Sequence, residues 1–129
     1  MGQELSFRTL DQGDYSLIGR ATNLVLRTQA DWEELWKRHQ GTVDRPAPVP
    51  AVDFNEEMVL GVMMGLKPTG GYVIKITRIE STPASLKVFV LEHTPGPDDY
   101  VGQAFTVPFH FVAVAKSELK PEFSAAPSN

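Results

Sequence analysis

The run Met58 to Met64, MVLGVMM, constrains this chain more than any other seven residues. A strand with one wet face alternates apolar and polar side chains, whereas an unbroken apolar run must be covered on both faces. The run sits in the block Val52 to Gly96, where a Pro/Gly turn ending in Gly70-Gly71-Tyr72 leads into two further strand-like segments. Tyr72 to Ile79 alternates, with Tyr72, Ile74 and Ile76 facing one way and Lys75 and Thr77 the other. Leu86 to Leu91 places Leu86, Val88 and Val90 on one face and Phe89 and Leu91 on the other. Segments 58–65, 72–80 and 86–92 are expected as consecutive antiparallel strands, with the Gly70-Gly71 turn joining the first pair.

Upstream of the block, Leu5 to Leu10, Tyr15 to Arg20 and Asn23 to Arg27 read as short strands. A helix is expected over about residues 29–40. Trp32, Leu35, Trp36 and His39 recur at helical spacing and form one apolar stripe, Thr28 and Asp31 stand three apart as in a capping box, and Gly41 is a stop. Pro46, Pro48 and Pro50 define an extended crossover whose P-x-P-x-P spacing differs from that of a P-x-x-P ligand. Phe109 to Lys116 reads as a further strand and Glu122-Phe123 as a short last one, before a tail SAAPSN (residues 124–129) of disordered composition. Strands, one helix and then a run of strands with hairpin-length turns indicate an α+β, antiparallel β-rich domain of two layers. The arrangement is either a curled sheet with the helix against it or a small sandwich with the helix at one end. Residues 1–129 read as one domain, with its core over about 5–123.

Composition excludes some functions. The net charge is −4, and Lys and Arg are scattered, so there is no basic face for nucleic acid. With no cysteine there are no disulfides, thiol nucleophiles or zinc-thiolate sites. No segment reaches the length of a membrane span, and MGQELSFRTLDQG lacks the basic and apolar regions of a signal peptide. The expectation is a soluble chain of unassigned compartment, and an exported origin would require a leader or anchor removed ahead of Met1.

Asp31-Trp32-Glu33-Glu34-Leu35-Trp36, Val52-Asp53-Phe54, Met58 to Gly65, Thr69-Gly70-Gly71-Tyr72, Leu86 to Val90, Thr94-Pro95-Gly96 and Thr106-Val107-Pro108 follow one another in order. On these motifs, over roughly residues 7–123, the chain resembles the PrcB C-terminal domain family. The resemblance implies a small non-catalytic domain, often in exported proteins, in a family named after a subunit that supports a partner protease. It carries over no catalytic residue and no cofactor.

The residues themselves point the same way. His39, His93 and His110 are dispersed, Glu92-His93 point to opposite faces of a strand, and Asp98-Asp99 read as a solvated loop tip. No serine lies in a G-x-S-x-G elbow. The turn Leu66 to Gly71 requires glycine for positive φ, and its bare amides could receive an anion or a partner strand. Thr94 to Val107 is a segment of about fourteen residues with little strand or helix signal, a length that in compact domains tends to be functional or disordered. Thr69, Gly70, Gly71, Tyr100 and Phe105 are therefore the candidate partner-binding residues, serving a protease or another exported protein. Two alternatives remain: a small hydrolase or metal-dependent enzyme assembled from dispersed residues such as Glu92, His93 and Asp98, and a self-associating structural domain.

Overall fold

A computed structural model describes residues 2–41 and 47–127. The strands are β1 (Gln3–Leu5), β2 (Phe7–Gly13), β3 (Thr22–Leu26), β4 (Glu57–Met63), β5 (Val73–Ser81), β6 (Leu86–His93), β7 (Phe109–Ala115) and β8 (Pro121–Pro127), with one helix, α1 (Gln29–Gln40), between β3 and β4. They form two four-stranded sheets, β1-β5-β6-β8 and β2-β7-β4-β3. All neighbours are antiparallel except β6 and β8, which run parallel.

The expected α+β, β-rich class holds, and of the two arrangements the sandwich is the one observed. Met58, Leu60 and Val62 of β4 and Val112 and Val114 of β7 face Ile74, Ile76, Ile79, Leu86, Val88 and Val90 of the opposing sheet. The alternate residues of the same two strands, Val59, Met63, Phe109 and Phe111, face Trp32, Leu35 and Trp36 of α1. The helix therefore covers the outer face of the second sheet instead of sitting at one end. This explains the unbroken apolar run: β4 is a central strand with a sheet on one side and a helix on the other. Gly61 permits the helix-side packing, since a Cβ there would lie 2.7 Å from the Phe111 ring.

Local signals hold α1 as expected. Thr28 accepts a hydrogen bond from the Asp31 amide at 3.1 Å, and the Gly41 amide donates to the Lys37 carbonyl. The two indole N–H groups also bind the crossover, Trp32 donating to the Pro50 carbonyl at 2.9 Å and Trp36 to the Ala47 carbonyl at 3.0 Å. Pro46 lies outside the described residues.

Four expectations are corrected. β4 and β5 do not pair: they belong to different sheets, and the Gly70-Gly71 segment crosses between layers instead of closing a hairpin. A strand buried on both faces needs ladder partners on both edges, and β3 and β7 take those positions. Leu5 to Leu10 is divided between β1 and β2, which join different sheets, and Tyr15 to Arg20 is irregular apart from one bridge, Tyr15 to Val107. Residues 124–127, expected in the disordered tail, continue β8 alongside β6, while Ser128 and Asn129 lie outside the described residues.

Candidate functional site

Two β-bulges determine where the polar side chains of the interior point. A bulge inserts one residue and reverses the face that later side chains take. In β2 the register shifts between Thr9 and Asp11. Thr9 consequently lies opposite Val112, toward the sheet interface, while Asp11 lies opposite Phe111, toward the helix. In β5 the shift falls between Ile76 and Arg78, which keeps Ile76 and Ile79 both in the core.

His110 lies where the effects of the two bulges meet. Its Nδ1 accepts the Ile76 amide at 2.9 Å and its Nε2 lies 2.9 Å from Thr9 Oγ1, so the ring bridges the two sheets. Because Nδ1 is an acceptor, Nε2 carries the proton and donates to Thr9. Burial, reinforced by the Lys75 charge, lowers the His110 pKa to about 4.

His39 occupies the opposite face of β7, packed edge-on against Phe109 and Phe111 at ring-centroid distances of 4.4 and 4.9 Å. Its Nδ1 is 2.8 Å from Ser16 Oγ and its Nε2 is 3.2 Å from Asp11 Oδ2. A carboxylate only accepts, so Nε2 donates to Asp11 and the Ser16 hydroxyl donates to Nδ1. Burial lowers the His39 pKa, and the hydrogen bond to Asp11 opposes that shift. The order Ser–His–Asp is that of a nucleophilic relay, but the environment of Ser16 is structural. Ser16 is 3% exposed, its Oγ accepts the Ile18 amide at 3.1 Å, and the neighbouring Leu17 amide donates to the His39 carbonyl at 2.9 Å. The network fastens residues 14–18 to the end of α1. Beside it opens a cavity of about 460 Å³ lined by Asp11, Gly13, Asp14, Tyr15, His39, Gln40, Ala47 and Phe109.

The residues expected to bind a partner come together at one end of the sandwich. The Gly70 amide donates to the Gly102 carbonyl at 2.9 Å, and Thr106 Oγ1 donates to the Thr69 carbonyl at 2.8 Å. Gly71 has φ 89, and a Cβ there would lie 2.7 Å from Val101 and 3.0 Å from Pro95. Gly70 is not in the positive-φ region, so only the second glycine of the turn has the conformational role expected of both. Tyr100 is fully exposed and Phe105 is 69% exposed, on backbone that these bonds hold in place.

The structure separates several of the residues considered for an enzyme. His39 and His110 lie on opposite faces of β7, Glu92 lines a separate groove between β3 and β8, and Asp98 is exposed. Among the described residues no group of three or more His, Asp or Glu is placed to hold a metal ion. Nor is any described helix long and apolar enough to cross a membrane. Asp11, Asp14, Tyr15 and Ser16 escaped the sequence reading, because only the bulge brings Asp11 to the helix side and only tertiary packing brings residues 14–18 against His39.

The structure defines a β-rich α+β fold of two four-stranded sheets with one helix on an outer face. Residues 58–115, from β4 through β7, match the family model described as PrcB C-terminal. The match covers the motifs from Met58 to Gly65 through Thr106-Val107-Pro108 and leaves the helix motif outside it. Comparison with curated proteins and with solved structures returns no match.

Proposed function

We propose that this is a non-catalytic accessory domain that binds a protein partner, a protease in the first instance, through the loop end formed by residues 66–71 and 94–107. The observation that carries the reading is the exposure of Tyr100 and Phe105 on backbone already fastened by the Gly70–Gly102 and Thr69–Thr106 bonds. Rings on pre-ordered loops lose little conformational freedom on docking, so more of their burial counts toward affinity. The PrcB C-terminal match supports the choice of a protease as partner.

The test is affinity capture by the whole chain, with bound proteins identified and compared between wild type and a Tyr100→Ala/Phe105→Ala double variant. A captured protease should be held more weakly by the double variant, by about 1 kcal/mol or more per anchoring ring. The variant's thermal stability should stay within about 0.5 kcal/mol of wild type, as for exposed positions generally. Equal capture by the two proteins would refute the site. A second copy of the chain as the bound species would support the self-association alternative in place of a protease.

A further inference from the structure

The loop end continues past Phe105 toward the cavity beside α1. Val107 bridges Tyr15 in parallel and Thr106 bridges Lys67 in antiparallel, so the segment 105–107 lies between 14–17 and 66–67. Further backbone bonds join these segments: the Val107 amide to the Asp14 carbonyl, the Ser16 amide to the Val107 carbonyl, and Lys67 to Thr106 in both directions. Within this three-segment layer Ser16 and Thr106 point inward and are buried, while Tyr15, Leu17, Leu66 and Phe105 are 74%, 66%, 59% and 69% exposed. Side chains alternate along extended backbone, so these four share the outer side as a contiguous apolar strip.

The strip ends at an acidic cavity, and Tyr15 belongs to both. Asp11 and Asp14 line the cavity, and its wall among the described residues carries no Lys or Arg. Asp11 keeps a third of its side chain exposed despite its bond to His39. Burial lowers the His39 pKa, which disfavours a charge on the one imidazole of the described cavity wall. His39 and Gln40 place the C-terminal turn of α1, the negative end of its dipole, against the same space. Gln40 adds a carbonyl oxygen with no donor among the described residues. Tyr15 offers an exposed ring face, which attracts a cation further.

We propose that the docking surface extends over this strip and selects a polypeptide segment that combines apolar residues with one Lys or Arg, whose cationic head enters the cavity between Asp11, Asp14 and Tyr15. This inference rests on the docking reading above and adds the chemistry of the partner. The strip holds the apolar residues, and the cavity determines which charge is accepted. A free alkylguanidine shares the head-group chemistry but lacks anything to place on the strip.

The test is titration of the ¹⁵N-labelled whole chain with four probes: the capped peptide Leu-Arg-Phe-Leu, its citrulline and glutamate counterparts, and free agmatine. The arginine peptide should shift the amide signals of Asp11, Asp14, Tyr15 and Gln40 together with those of Leu66 and Phe105. It should bind at least fivefold more tightly than the neutral citrulline peptide, and the glutamate peptide should be weakest. Asp14→Asn, at an exposed carboxylate, should remove most of the arginine preference, and Asp11→Asn, which keeps an acceptor for His39, should do the same. Agmatine bound as tightly as the arginine peptide, with shifts confined to the cavity, would overturn the polypeptide reading in favour of a small-amine site. Equal binding of the arginine, citrulline and glutamate peptides, or no cavity shifts at all, would overturn the charge selection. If Tyr100→Ala/Phe105→Ala loses partner capture while Asp14→Asn keeps it in full, the docking reading stands and this inference falls.

Discussion

The two faces of the β2-β7-β4-β3 sheet are built from the same two central strands, yet they are packed by different chemistry. The inner face meets the other sheet through aliphatic side chains such as Met58, Leu60, Val62, Val112 and Val114. The outer face meets α1 through rings, with Trp32 5.7 Å from Phe111 in an edge contact and 5.5 Å from Trp36. Each face also holds one buried histidine. His110 joins the sheets inside the aliphatic layer, and His39 joins α1 to the segment 14–18 beside the aromatic layer. Two sheets can be spaced by many similar branched side chains, whereas a single helix contacts its sheet at few positions and fills them with large rings. Loss of one ring therefore removes much of the helix interface, while loss of one aliphatic residue removes a small part of the sheet interface.

The strongest way to break this comparison is to truncate the aromatic side. Trp32 is fully buried and its indole also holds the Pro50 carbonyl, so Trp32→Ala should cost about 3–5 kcal/mol. Denaturant unfolding checks this, and a loss no larger than that of Val112→Ala would remove the asymmetry between the faces.

Acid should act on the inner histidine next. The His110 pKa lies near 4 in the folded chain against an ordinary 6.5, so the unfolded chain binds more protons between those values. Stability is therefore full above about pH 6.5 and falls as pH drops toward 4, by about 3 kcal/mol for this one group. His39 is shifted in the same direction and adds to the slope. His110→Gln keeps hydrogen-bonding groups without titrating, so a plot of unfolding free energy against pH should flatten in that window. An unchanged slope would place the acid sensitivity on the helix side instead.

Overpacking the outer face should have the smallest of these effects. A Cβ at Gly61 would meet Phe111 at 2.7 Å and Leu24 at 3.6 Å, so Gly61→Ala should destabilise by about 1–3 kcal/mol as the ring is displaced. A neutral outcome in thermal unfolding would show that the aromatic layer has slack which the close contact with Phe111 does not suggest.

Much of this was legible along the chain, and the misses have a common origin. The α1 stripe, the Thr28 cap and the alternation in β6 are local patterns, and all are present. The unbroken run at Met58 to Met64 correctly announced a strand covered on both faces, but it did not say which elements would cover it. Pairing β4 with β5 followed from their adjacency in sequence, whereas the observed neighbours of β4 are β3 and β7. Of the candidate site, Tyr100 and Phe105 were named from their place in a long loop, and both rings are exposed. Asp11, Asp14 and Tyr15 carried no signal, because nothing in DQGDY marks the bulge that precedes it.

The sequence by itself determined the class of the fold, the helix with its buried face, the strand segments of the central block and the family resemblance over that block. These depend on periodicity and turn chemistry within a few residues, and such preferences act before any long-range contact forms. Tertiary structure alone decided the sheet order, the position of the helix on an outer face, the parallel β8 and the meeting of Asp11, Ser16 and His39. Each of these joins segments far apart in the chain. A bulge of one residue in β2 was enough to send Thr9 to one layer and Asp11 to the other, and with them the surroundings of both buried histidines.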